Sequence, residues 1–88
     1  MTYNYIIEDK LRKKLQKLGK KNRDLLAEIN KKIFEICKDP SRCKNLNAPK
    51  NHLKRVHVRS HFVLLFSVNE VSKTIVIEDF EHHDKVYL

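Results

Sequence analysis

One glycine, two prolines and two cysteines are all that the 88-residue sequence contains of these types, and it has no long apolar run. Because no 18 consecutive residues are apolar, we predict no membrane-spanning helix. Charged residues follow Ile7 directly, where a signal peptide would carry an apolar segment, so we expect a cytoplasmic protein. The sequence also lacks a glycine-rich phosphate loop, a nucleophile elbow and a paired-carboxylate motif, so no common signature identifies an active site.

Cys37 and Cys43 are separated by five residues in a sequence without a leader. Thiols of leaderless proteins usually stay reduced, so we expect free cysteines rather than a disulfide. Together with His82 and His83, the two cysteines lack the ligand spacing of a structural zinc site. The sequence therefore predicts no metal and no cofactor.

Positive charge dominates the composition, with 19 Lys and Arg against 11 Asp and Glu and a net charge of +8. Such an excess predicts a polyanionic partner, which could be nucleic acid, an acidic protein segment or an anionic membrane surface. We expect one domain over residues 1–88. Its core must be modest, so a dense cationic cluster that stays out of the core indicates a binding role.

The first part of the chain predicts a strand followed by two helices. Residues 2–7 alternate and are rich in aromatic and β-branched types, as in a strand. From Lys10 leucines recur at helical spacing, and Gly19 stands where a helix commonly ends. Asn22 is suited to cap a second helix, which should stop before Pro40 because the residue preceding a proline avoids the helical region.

Eight Lys and Arg residues fall within residues 10–23. Such a run on a helix is commonly a solvated face, but its density could also bind RNA phosphates, a ribosomal surface or an acidic peptide. The side chains that we single out as RNA-binding are Lys13, Lys17, Lys20 and Lys21.

The rest of the chain predicts a connector and three strands. Residues 38–51 show no periodicity and contain both prolines, with Leu46 as the one apolar anchor. Two strands flank a tight Ser60–His61 turn; the second, residues 62–68, is apolar on both faces and should be central. A last strand is predicted over residues 74–80. The order β-α-α-β-β-β indicates an α+β fold, with a helical hairpin across one face of a twisted, mostly antiparallel sheet.

A cationic row leads into the central strand. Alternate side chains of a strand share a face. The residues predicted to share one face are Arg55, His57, Arg59 and His61, with Lys54 beside them. Arginine binds phosphate oxygens through a planar pair of donors, and histidine can exchange a proton near neutral pH. The row therefore suits phosphodiester binding and cleavage, although solubilising charge on an exposed strand is the alternative.

The adjacent His82 and His83 form a second candidate. At the end of a strand, neighbouring side chains point in different directions, so the two need not act together. From the residues alone they are better explained as solvated surface histidines.

The chain as a whole resembles the RelE/ParE superfamily of toxins from type II toxin–antitoxin systems. A short first strand runs into a basic helical hairpin, whose second helix ends in the Lys-Asp-Pro of residues 38–40. A basic strand over residues 54–59 leads into residues 61–68, which is similar to the family strand that begins with tyrosine and arginine. Residues 82–87 are similar to the family's closing "HR-x-x-VY". The resemblance implies a RelE-like fold.

The RelE branch implies an endoribonuclease that cuts mRNA in the ribosomal A site, where the 2′-hydroxyl attacks the neighbouring phosphate. Arg55 and His57 fall where the family has paired lysines, and Tyr87 falls on its C-terminal tyrosine. The implied roles are phosphate charge for Arg55 and Arg59, proton transfer for His57 or His83, and positioning for Tyr87. The candidate RNA-binding residues outside the helices are Lys54, His61 and His82.

Two positions depart from the family pattern, because Val63 and His83 stand where the family has arginine. The absence of both arginines could mean weak or absent nuclease activity. It could also mean a histidine-based variant, in which His57, His82 or His83 moves the protons.

The resemblance further implies an acidic, partly disordered RelB-like antitoxin that wraps the basic surface and folds on binding. The ribosome and mRNA are the other expected partners, and no membrane is expected. Two alternative functions stay open. One is a ParE-like toxin that poisons DNA gyrase without cleaving nucleic acid; the other is a stand-alone RNA-binding module, which would need exposed stacking aromatics.

Overall fold

A computed structural model describes residues 2–48 and 52–86 of the chain. Its elements confirm the predicted α+β class. They include two elements that were not predicted: a two-residue strand within the predicted connector and a terminal helical turn. In chain order the elements are β1 (Asn4–Ile7), α1 (Asp9–Lys21), α2 (Arg23–Lys38), a 3₁₀ turn (Pro40–Arg42), β2 (Lys44–Asn45), β3 (Lys54–Val58), β4 (Phe62–Asn69), β5 (Thr74–His82) and α3 (His83–Val86).

The five strands form one sheet in the order β1-β5-β4-β3-β2. The pairs β2–β3, β3–β4 and β4–β5 are antiparallel, which confirms the mostly antiparallel sheet that the sequence predicts. Strand β1 instead pairs parallel to β5, with Asn4 opposite Thr74 and Ile7 opposite Ile77. The first strand therefore lies at one edge, and the two longest strands, β4 and β5, are neighbours inside the sheet.

Helices α1 and α2 cover one face of the sheet and form the main core with it. Leu11 and Leu15 of α1 and five residues of α2 are buried against the sheet. On the sheet side the fully buried residues of this core are Val58, Leu64, Phe66, Ile75 and Ile77. A smaller cluster of Leu46, Leu53, Val63 and Leu65 lies apart from it. The burial of Leu46 confirms it as the anchor of the connector.

Gly19 does not end the first helix, so that prediction is wrong. Helix α1 continues to Lys21, and the N–H of Asn22 donates to the carbonyl of Leu18 at 2.8 Å. A Cβ atom at Gly19 would lie 2.5 Å from Cδ2 of Leu26 in α2. The glycine therefore permits close contact between the two helices and has no role as a left-handed cap.

Asn22 caps the second helix, as the sequence predicts. Its Oδ1 accepts a hydrogen bond from the N–H of Leu25 at 3.1 Å. Replacing Asn22 by alanine should lower the free energy of unfolding by about 1 kcal/mol, because a helix N–H loses its acceptor. Urea denaturation measures this loss, and Asn22→Ser, which keeps an acceptor, should restore most of it. Equal midpoints for the alanine variant and the parent would contradict the capping role.

Candidate functional site

The face of the sheet opposite the helices carries Arg55 and His57. Val56 and Val58 pack into the helix-covered core, so alternation along β3 turns their neighbours the other way. In the pairing of β3 with β4, Arg55 lies opposite Leu65 and His57 lies opposite Val63. We call this side the open face. The predicted separation of cationic and apolar residues is confirmed for this part of the strand.

Arg59 and His61 do not continue the row, and the prediction that they share its face is wrong. Strand β3 ends at Val58, and residues 59–61 form the turn. Arg59 adopts a left-handed backbone with φ of 55°, and its Nε donates to Oε1 of Glu28 on α2 at 3.1 Å. Alternation alone cannot show where a strand ends, and arginine is not a residue that usually signals positive φ.

The side chain of Lys54 lies on the opposite face of the sheet from that of Arg55. It pairs with Phe66 across β4, which places it on the helix side of the sheet. Its Nζ donates to the carbonyl of Cys43 and to Oδ1 of Asn45, each at 3.1 Å. In this structure the ammonium joins β3 to the connector and the short strand β2.

Four histidines come together in two stacked pairs. The ring of His57 lies 5.5 Å from that of His83, with an angle of 30° between the planes. The ring of His61 lies 6.0 Å from that of His82, with an angle of 11°. The N–H of His83 donates to the carbonyl of His61 at 2.7 Å, which fixes the start of α3 against the turn. His82 and His83 therefore both contact other rings, each with a different partner.

Acidic groups of β5 share the open face. Asp79 pairs with Leu65 and Glu81 pairs with Val63, so both point the same way as Arg55 and His57. Nζ of Lys14 lies 2.6 Å from Oε1 of Glu81 and 3.5 Å from Oδ1 of Asp79. This lysine, which the sequence pattern does not single out, offsets one of the two negative charges that would oppose an anion here.

The four helix lysines predicted to bind RNA are all exposed on α1. Lys17 and Lys21 lie beside the end of β5, near Phe80 and His82. Lys13 and Lys20 lie with Lys17 on the side where α1 meets α2. The helix lysines thus form an exposed basic surface on the helix side, apart from the open face.

The two thiols lie near β1 and the connector. Cys37 is buried and Cys43 is partly buried, and neither is in a disulfide. Burial raises the pKa of both thiols above the ordinary value of cysteine. Across residues 2–48 and 52–86, no three His, Cys, Asp or Glu side chains are grouped so as to hold a metal ion. Over the same ranges, no helix is long and apolar enough to cross a membrane.

The sequence matches no protein-family model. It is 46% identical over 85 residues to a Methanocaldococcus jannaschii protein provisionally named toxin RelE4, covering 97% of this chain and 90% of that protein. The chain belongs to the RelE toxin family.

Solved structures agree with the fold of this RelE-family toxin. It superposes on a chain of the Mycobacterium tuberculosis toxin–antitoxin complex RelBE2 with a TM-score of 0.80 and 22% identity, covering 94% of this chain and 100% of that one. The YoeB/ParE toxin of Agrobacterium tumefaciens gives a TM-score of 0.80 at 8% identity, covering 91% and 98%. At such identities the likeness concerns the fold, and it confirms the predicted RelE-like architecture.

The structure shows the surroundings of Val63 and His83, the two positions where this RelE-family toxin has no family arginine. Val63 is fully buried with Leu65 and the connector leucines, so an apolar side chain suits that position. The other, His83, stacks on His57. Tyr87, predicted as a positioning residue, lies outside the described residues.

Proposed function

We propose that this RelE-family toxin is an endoribonuclease that cleaves mRNA on the ribosome. The observation that carries the proposal is the stacked pair of His57 and His83 on the side of the sheet where Arg55 lies. A guanidinium and two imidazoles in one place provide both charge and proton transfer for phosphodiester cleavage.

In the proposed reaction the RNA's 2′-oxygen attacks the adjacent phosphorus, and the bond from phosphorus to the 5′-oxygen breaks. The 2′-hydroxyl proton passes to one imidazole, and the leaving 5′-oxygen takes a proton from the other. The guanidinium of Arg55 stabilises the negative charge that develops on the phosphate oxygens. The products are a 2′,3′-cyclic phosphate and a 5′-hydroxyl end, and Tyr87 is proposed to position the substrate.

We also propose an acidic antitoxin as the partner of this chain. The M. tuberculosis protein of the same fold was solved as a toxin–antitoxin complex. The net charge of +8 favours an acidic chain that covers the basic surfaces and orders as it binds.

Primer extension on a reporter mRNA in a translating extract tests the nuclease. We expect the toxin to produce new 5′ ends at codon-specific positions and to produce none when ribosomes are omitted. Intact mRNA in the presence of folded protein would contradict the proposal.

A ParE-like action on DNA gyrase is the second candidate. It is favoured by Val63, which leaves the open face without the arginine that the nuclease pattern has there. Stabilised gyrase–DNA cleavage complexes together with intact mRNA would select it.

A further inference from the structure

A cleft opens on the helix side of the sheet, where α1 passes the end of β5. It has a volume of about 380 Å³, and its lining combines helix-side residues with Glu81, which the strand register places on the open face. Its lining residues are Lys14, Lys17, Leu18, Lys21, Phe62, Phe80, Glu81 and His82. We call it the aromatic cleft.

Aromatic rings run from the core to the mouth of this cleft. The ring of Phe80, a residue only 3% exposed, stacks on Phe62 with centroids 5.2 Å apart and 16° between planes. The ring of His82 meets Phe62 edge-on at 5.7 Å and stacks on His61 at 6.0 Å. Since 44% of the His82 side chain is exposed, the series ends in a ring that solvent and ligands can reach.

Charge at the rim is predominantly positive. Lys17 and Lys21 are exposed beside the mouth. Glu81, the acidic residue of the lining, is bound by Nζ of Lys14 at 2.6 Å, so its charge is largely offset. An apolar, ring-lined floor below two lysines matches a planar base with a phosphate on either side.

We propose that the aromatic cleft binds a nucleobase of single-stranded RNA, which stacks on His82 while Lys17 and Lys21 hold the flanking phosphates. This inference rests on the proposed function, because it assumes that RNA is the substrate. The two surfaces meet at consecutive residues, since His82 faces the cleft and His83 stacks on His57 of the open face. One RNA strand bound in the cleft can therefore continue over the turn of residues 59–61 to the open face.

The test uses the full chain and a 2′-O-methyl heptanucleotide with a central 2-aminopurine, without ribosomes. Cleavage is impossible because the 2′-oxygen is blocked, and stacking quenches the fluorescence of 2-aminopurine. We expect saturable quenching by the parent protein. His82→Ala should abolish most of the quenching and weaken binding about tenfold, whereas His82→Phe, which keeps a ring, should retain both.

Matched controls separate stacking from charge. Lys21→Ala should weaken binding several-fold and flatten its salt dependence. Lys31→Ala, an exposed lysine of α2 away from the cleft, and His52→Ala, an exposed histidine elsewhere, should both behave like the parent. Replacing the 2-aminopurine with an abasic unit should weaken binding to the parent but not to His82→Ala.

Binding without quenching, or no binding at all, would overturn the inference. The same holds if an acidic peptide fills the cleft and the oligonucleotide does not, because the cleft would then belong to a protein partner. Failure of the two proposals is distinguishable: mRNA cleavage without quenching refutes the cleft alone, and quenching with intact mRNA refutes the nuclease alone.

Discussion

Replacing Arg55 by alanine should slow ribosome-dependent mRNA cleavage by about 10²- to 10³-fold, the usual loss when a donor to transition-state charge is removed. Val63 contributes no cation to the open face and Arg59 is bound to Glu28 on α2, whereas the register of β3 places Arg55 on the face of His57. The expected loss falls on the cleavage step. Primer extension at a series of toxin concentrations measures it, with thermal unfolding to show that the variant is folded.

Two further variants make the Arg55 experiment specific. Arg42→Ala removes the same charge from an arginine whose side chain is 86% exposed in the connector, and it should cleave like the parent. Arg55→Lys should recover part of the activity, because an ammonium keeps the charge but loses the paired donors. Full activity of Arg55→Ala would exclude the open face as the place where the phosphate binds.

Replacing Phe66 by alanine should lower the free energy of unfolding by about 3–5 kcal/mol. Phe66 is fully buried in the middle of β4, beside the break in register between Leu65 and Phe66, and it packs with the helix-covered core. Small domains have total stabilities near the lower end of about 5–15 kcal/mol, so this variant should be largely unfolded at physiological temperature.

Urea denaturation and thermal unfolding measure the Phe66 effect. Phe66→Leu keeps most of the volume and should lose only about 1.5 kcal/mol or less. Val71→Ala, at a residue that is 98% exposed in the turn before β5, should change stability by less than about 0.5 kcal/mol. A Phe66→Ala variant as stable as Val71→Ala would show that the core is packed differently around β4.

Elements whose signal is local could be predicted from the sequence. The leucine and isoleucine stripes of α1 and α2, the Asn22 cap and the alternation of Arg55 to Val58 each follow from spacing within a few residues. The anchoring role of Leu46 follows similarly, because leucine is often fully buried and Leu46 is the largest apolar side chain of the connector.

Features that depend on distant partners could not be predicted in this way. Gly19 is explained by Leu26 of the next helix, and the position of Arg59 by Glu28. The pairing of His57 with His83 requires the register of three strands, which no single stretch of sequence encodes. Strand β2 has only two residues, too few for any period to show.

The parallel pairing of β1 with β5 has a consequence for the order of folding. Asn4 and Thr74 are neighbours in the sheet although 69 residues separate them in the chain, and such non-local contacts form slowly. During synthesis the helical hairpin can form early, but the sheet cannot be completed until β5 has left the ribosome. Since His83 follows β5 directly, the nascent toxin acquires its His57–His83 pair only after β5 has been synthesised.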